Sequence, residues 1–220
     1  MIRHLFVGAA ALAIGLSAAP AYSQTDVDIY DDPSGQPIVF ISGGGNNSLR
    51  ELTDDTDDDF DIGSDFNTGY NFTAGAGVQL IRWASLRAIY TYARSEGEGT
   101  ALSPIAGNEF SRHYYGADLQ FRAGQDGNFA PYAFIGGGAV TVDPADDAVL
   151  VSPAGAEFSN ESFTKPAGRF GIGFEYQFPD SGLGLYAEGS GWVYNWDRYG
   201  FDRTQVDTNW GAGLTYRFGY

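Results

Sequence analysis

Histidine is the residue type that could serve as a general base in this chain, and it is scarce. The 220 residues include two histidines and no cysteine, so disulfide bonds, thiolate zinc sites and cysteine nucleophiles are excluded. Beyond residue 23 the single histidine is His113, with Ser111 two residues before it, and acyl transfer or hydrolysis would need such a base beside a nucleophile or an activated water. The alternative, an amphipathic ring in an interfacial belt with Tyr114 and Tyr115, is favoured. We therefore expect no catalytic residue and no enzymatic activity.

A run of aspartates suggests a second chemistry, cation binding. Residues 51–65 are rich in aspartate, and Asp57 begins an alternation of aspartates in "DDDFDIG". An EF-hand loop starting there needs glycine at its sixth position and glutamate at its twelfth, where this chain has Ile62 and Thr68. The motif fails, so a solvated acidic loop is expected, with weak divalent binding left open. No metal-binding or cofactor-binding residue is predicted.

The elements that carry these residues are predicted to be β-strands. The stretch "GYNFTAGAGVQL" (69–80) alternates apolar with polar or glycine residues, and "RFGIGFEYQF" (169–178) sets large apolar residues against glycine and charged residues. A period of two is the pattern of a strand whose faces meet different surroundings. The chain also has 31 glycines and 15% aromatic residues, which disfavours helices and favours strands. Eight strands are predicted, at 37–44, 69–80, 86–93, 112–123, 131–140, 169–178, 183–196 and 209–220.

The connections between these strands alternate in length. Three are short and have turn chemistry or lie close to it, in "IRWAS", "AGQDGN" and "PDSG". Four are expected to be long, at roughly 45–68, 94–110, 141–166 and 196–208, and they hold most of the acidic residues. All short connections therefore fall at one end of the predicted sheet and all long ones at the other.

The N-terminal segment has the features of a secretory signal peptide. It begins "MIRHLFVGAAALAIGLSAAPAYSQ", with Arg3 before a short apolar run and small residues around Ala21. The run is too short for a spanning helix, and a cleavage site follows it. The predicted organisation is a signal peptide at 1–23, a short polar segment at 24–36 and one β-domain at 37–220.

Two surroundings would suit such a domain. A transmembrane β-barrel has strands of about 9 to 11 residues, alternating lipid-facing and lumen-facing side chains, short turns at one end and long loops at the other. A soluble lipocalin-like barrel would instead turn its aromatic side into a cavity. The membrane interpretation is favoured, because the polar side is glycine-rich and sparsely charged, a poor soluble surface. The net charge of -16 argues against a nucleic-acid partner.

The polar sides of the strands should then line a narrow interior. Side chains fill the inside of an eight-stranded barrel, and buried charges must be paired. We predict that Glu188 and Arg217, on adjacent strands, form one such pair, and that Glu188 shares a side with Tyr186 and Trp192. The facing of strand 37–44 stays unassigned. The predicted lining comprises Arg87, Arg112, Arg122, Arg169, Arg217, Asp118, Glu175 and Glu188.

Several of these stretches resemble a known family. The tail "GLTYRFGY", the strands "PYAFIGGGA" and "GFEYQF", and "GYNFTAGAGVQL" followed by "LRAIYTYAR" are similar to the small Gram-negative outer membrane β-barrels, that is, the OmpA/OmpX-like and opacity-protein-like surface antigens. The resemblance implies an eight-stranded antiparallel up-and-down transmembrane β-barrel. It also implies that the barrel-assembly machinery reads the C-terminal strand through Leu214, Tyr216, Phe218 and Tyr220.

The resemblance also sets the functional expectation. It implies a structural outer membrane surface protein with acidic extracellular loops, acting in envelope integrity or in surface interaction and adhesion. The expected surroundings are outer membrane lipid and lipopolysaccharide, with host or cell-surface ligands for the loops. Two alternatives are kept: a narrow ion-conducting, porin-like channel, and an outer membrane enzyme that modifies lipid A.

Overall fold

A computed structural model describes residues 34–48, 67–97, 108–123, 128–145, 161–197 and 203–219. These residues form eight antiparallel strands. No helix among them is long and apolar enough to cross a membrane. The strands are β1 (Pro37–Ser48), β2 (Gly69–Ile81), β3 (Ala84–Glu96), β4 (Glu109–Arg122), β5 (Phe129–Pro144), β6 (Phe163–Gln177), β7 (Leu183–Trp196) and β8 (Arg203–Arg217).

Each strand pairs with its neighbours in sequence, and β8 pairs with β1, so the sheet is a closed barrel without an edge. The pairing around the barrel can be followed from Ile38, which lies opposite Gly77, through the other strands to Asp207, which lies opposite Ser48. The path returns to β1 ten residues beyond its start. Such a stagger, together with eight strands, tilts the strands by about 40° to the barrel axis.

Alternation along each strand divides the inside from the outside. On β6, Arg169 and Glu175 are buried, whereas Phe170, Ile172 and Phe174 are exposed. The apolar sides of β2, β4 and β8 point outward in the same way. The predicted facing of these strands is therefore confirmed.

Strand β1, whose facing the sequence leaves open, is also assigned. Ile38 and Phe40 are buried in the interior, and Ile41 points outward. On β7 the predicted sharing of one side holds, because Tyr186, Ser190 and Trp192 all face inward with Glu188.

The strands extend further toward the long connections than predicted. Strand β8 begins at Arg203 and β6 begins at Phe163. The predicted long loop at 196–208 is therefore wrong: the connection spans only 197–202, because the paired strands β7 and β8 continue through the rest. The predicted signal peptide and the aspartate-rich residues 51–65 lie outside the described residues.

Candidate functional site

The interior contains three levels of polar groups, counted from the end with the short connections 82–83, 123–128 and 178–182, here called the short-turn end. The basal network lies at that end. Arg217 donates to both oxygens of Glu175, at 2.9 and 3.0 Å, and to Gln79 Oε1 at 2.8 Å. Arg122 from β4 donates to the same carboxylate. Glu175 thus pairs with two arginines from opposite sides of the barrel.

The central network lies one level higher. Arg87 donates to both oxygens of Asp118, at 2.8 and 2.9 Å, and to Glu188 at 3.0 Å. Arg169 bonds to the same two carboxylates, and Tyr132 donates its hydroxyl hydrogen to Glu188 at 3.1 Å. Two cations and two anions are thus matched in the middle of the barrel, as the buried position of the charges requires.

Inward glycines make room for this network. A Cβ atom at Gly75 would lie 2.2 Å from Phe40 Cζ, and one at Gly171 would lie 2.2 Å from Phe134 Cζ. Each ring therefore lies flat on backbone that carries no side chain. The rings in turn contact the arginines: the guanidinium carbon of Arg169 is 4.2 Å from the Phe134 ring centre. This distance is within the range of cation–π attraction.

The third level, the Asp207 cluster, lies toward the long connections. The carboxylate of Asp207 accepts hydrogen bonds from Tyr114 at 2.7 Å, from Tyr194 at 2.7 Å and from Ser48 at 2.6 Å. Arg112 lies 3.6 Å away. Above the cluster lie packed, buried rings: Phe110, Phe163 and Trp196. Sequence reasoning missed Asp207 because residue 207 lies in the predicted loop at 196–208.

The structure corrects the predicted pair between Glu188 and Arg217. Both side chains face inward and both are paired, but with other partners. The reason is the register: Glu188 lies opposite Gly211, six residues along β8 from Arg217. At about 3.3 Å per residue, the two positions are separated by roughly 20 Å. Adjacent strands alone did not specify the level.

These networks and the packed rings seal the interior along its described length. The cavity found between the basal and central networks has a volume of about 10 Å³, lined by Phe40, Arg87 and Glu175 among others. That is about the space of one water molecule. A continuous water-filled channel does not pass through this arrangement, which agrees with the predicted plug of ion pairs.

The outer surface is an apolar belt, defined here as the exposed apolar side chains on the outside of the strands. Ile172 is 70% exposed, Ile135 62% and Trp210 56%. At the short-turn end the belt finishes in paired aromatic rings, with Tyr216 and Phe218 at 4.9 Å between centres. Exposed apolar surface of this extent has no place in water, and its aromatic border is typical of a barrel in a bilayer.

His113 lies on this outer surface, near the long-connection end. Its Nδ1 is hydrogen-bonded to the Tyr90 hydroxyl at 2.7 Å, whereas Ser111 Oγ is bonded to the Tyr92 hydroxyl at 3.1 Å. The serine and the histidine thus engage different tyrosines. Tyr115 is exposed beside His113, but the expected place of Tyr114 in the same belt is wrong, because Tyr114 is fully buried in the barrel. Its position one residue from His113 turns it inward.

Metal chemistry has no candidate in the part of the chain that the structure describes. No group of three or more histidine, aspartate or glutamate side chains there could hold a metal ion. Asp57 and its neighbours, the basis of the divalent-cation hypothesis, lie outside the described residues.

A closed eight-stranded antiparallel barrel with a sealed polar interior and an apolar belt is a transmembrane β-barrel. Comparison with solved structures gives the same class: the fold is similar to Neisserial surface protein A (NspA), with a TM-score of 0.53 and 14% identity over 83% of this chain and 97% of that chain. Ail of Yersinia pestis, in complex with the heparin analogue sucrose octasulfate, scores 0.48 at 16% identity, over 83% and 98% of the two chains. The N-terminal β-barrel domain of Pseudomonas aeruginosa OprF scores 0.45 at 12% identity, over 83% and 97%.

The resemblance noted in the sequence is thereby confirmed at the level of fold. Comparison of the sequence with protein-family models and with curated proteins gave no match.

Proposed function

We propose that this chain is a structural protein of the outer membrane, with its acidic long loops at the cell surface and a role in envelope integrity or surface interaction. One observation carries the proposal: an apolar belt surrounds an interior filled by paired charges and packed rings. Such a barrel holds its loops in a bilayer without passing solutes. Lipopolysaccharide and cell-surface molecules are the partners that the loops would meet.

The route to that membrane follows from the sequence. Residues 1–23 direct export, 24–36 form a short polar segment, and 37–220 form the barrel, whose C-terminal strand is read by the assembly machinery. Leu214, Tyr216 and Phe218 point outward, which supports this reading, and Tyr220 lies outside the described residues. No enzymatic role is proposed, because Ser111 and His113 bond to different tyrosines.

Fractionation and gel mobility test the proposal. The protein should sediment with outer membranes, need detergent for extraction and change mobility on a gel when boiled, since a closed barrel resists unfolding until heated. A deletion strain should show altered sensitivity to detergents or altered adhesion. Protein that stays soluble after osmotic shock would contradict the membrane assignment. Steady single-channel conductance in a planar bilayer would favour the channel alternative.

A further inference from the structure

Four polar side chains form a row on the outside of the barrel, here called the polar row. Tyr92, His113, Thr141 and Thr164 lie directly opposite one another on β3, β4, β5 and β6. Their sequence neighbours Arg112 and Phe163 are buried in the interior, so the row faces outward. It therefore crosses four strands on one side of the molecule.

Hydrogen bonds join the row to further hydroxyl groups. Thr141 and Thr164 share a bond of 2.8 Å, and the Tyr115 hydroxyl lies 3.3 Å from Thr141 Oγ1. Tyr90 bonds to His113, as described above. A hydroxyl has one hydrogen to donate and two lone pairs, so a group with one such bond retains capacity for another partner. The row thus offers several donors and acceptors held in fixed positions.

The row belongs to one side of the barrel only. On the opposite wall, toward the same end, the outward pair on β7 and β8 is Val193 with Val206. A uniform interfacial border would have similar side chains all round. The difference indicates a localised contact rather than a general response to the membrane surface.

Charge selects the chemistry of the partner. Arg94, the cation beside the row, is paired with Glu109, and Asp143 follows Thr141 two residues further along the outside of β5. Carboxylates repel phosphate groups, whereas hydroxyl and imidazole groups bond well to neutral hydroxyls. Toward the belt, the next outward pairs on β5 and β6 are Ala139 with Pro166 and Gly137 with Gly168. A Cβ atom at Gly168 would meet nothing within 4 Å, which leaves a shallow depression beneath the row.

We infer that the polar row binds the saccharide part of a glycolipid in the outer leaflet, whose acyl chains lie along the depression on β5 and β6. The inference rests on the proposed place of the barrel in the outer membrane. It adds a fixed site with a defined chemistry: sugar hydroxyls at the row, hydrocarbon below it, and no requirement for the lipid phosphate.

Lipid retention tests the site. The full-length mature protein, in nanodiscs of phosphatidylglycerol with or without rough lipopolysaccharide, is transferred to detergent and its bound lipid is counted by native mass spectrometry. Thr141→Val with Thr164→Val removes two hydroxyls at nearly constant shape, and Thr204→Val with Thr208→Val is the matched control on β8. Loss of two hydrogen bonds should lower lipopolysaccharide retention about tenfold. The control should retain as much as the unsubstituted protein.

Three results would overturn the inference: equal retention in both double variants, equal loss in both, or equal retention of phosphatidylglycerol and lipopolysaccharide. Heat-dependent gel mobility is recorded on each sample first. A protein that fails to enter nanodiscs contradicts the proposed membrane function itself, whereas an inserted protein with unselective retention contradicts only the glycolipid site.

Discussion

At the scale of single residues, Glu175 is the point on which the base of the plug depends. Its carboxylate is the partner of Arg122 on one side and of Arg217 on the other, and all three side chains are nearly excluded from solvent. Removing one member of a buried ionic group leaves the others charged and without compensation, which costs more than the group contributes as a whole. Glu175 should therefore tolerate substitution worse than any rim charge.

We expect Glu175→Leu to lower the free energy of unfolding by about 3–5 kcal/mol, because two buried arginines lose their carboxylate. Urea titration of the protein folded into lipid vesicles measures the change. Glu109→Gln is the control: Glu109 forms an exposed pair with Arg94, and exposed pairs contribute about 0–1 kcal/mol. If both variants unfolded at the same urea concentration, the basal network would not be a stabilising element.

Residue types alone predicted that the charges would face inward, but not which would meet. Alternation places Arg217 and Glu188 on the inner side of adjacent strands, and that much is correct. Their level depends on the register of β7 against β8, which the sequence did not specify because the connection was assigned thirteen residues instead of 197–202. Asp207 was missed for the same reason. Tyr114 was misplaced because its aromatic ring suggested a belt, although its own position alternates inward.

At the scale of strands, the seam between β1 and β8 allows very little space. A Cβ atom at Gly213 would lie 1.8 Å from the carbonyl oxygen of Ile41 on the neighbouring strand. Backbone cannot move aside there without breaking the pairing that closes the barrel. At Gly189 on β7, by contrast, a Cβ atom would meet nothing within 4 Å.

Gly213→Ala should therefore destabilise the barrel by about 1–3 kcal/mol through overpacking, whereas Gly189→Ala should be neutral or stabilising by up to about 1 kcal/mol. The fraction of protein that keeps the fast, unboiled gel mobility, followed over a temperature series, reports both effects. A Gly213→Ala protein that melts with the Gly189→Ala protein would show that the seam relaxes easily.

Strand assignment from sequence worked best where the two faces differ most. Strands β2 and β6 combine large apolar residues with glycine or charge, so their period of two is unambiguous. On β1 and β7, large rings lie inside the barrel, as Phe40 and Trp192 do. Aromatic residues inside and outside remove the contrast on which the facing of a strand is inferred. What decides it is the inward glycine of a neighbouring strand, and pairing is needed to see that.

At the scale of the whole molecule, the belt has a middle and two borders. Ile172, between Phe170 and Phe174 on β6, is the most exposed of the large apolar side chains described. Thr164 lies on the same strand and the same outer side, four alternate positions toward the long connections. The two residues therefore sample the centre and the edge of the same surface.

Ile172→Arg should reduce the folding free energy in a bilayer by about 2–4 kcal/mol, while Thr164→Arg should cost about 0–1 kcal/mol, since the penalty of a charge depends on its depth in the hydrocarbon. Urea-dependent folding into vesicles measures both variants. Equal small effects would mean that the belt does not lie in hydrocarbon, and the membrane interpretation would lose its physical basis.

The pairing of β1 with β8 also determines when this protein can become stable during its synthesis. Phe218 donates its backbone N–H to Pro37 at 3.0 Å, so the last contact joins residues that are far apart in sequence. Until β8 has emerged, every shorter chain presents two unpaired strand edges and an apolar outer face. The protein must therefore travel to its membrane as an open and aggregation-prone chain, and a carrier that shields it on the way is a physical requirement of its closed shape.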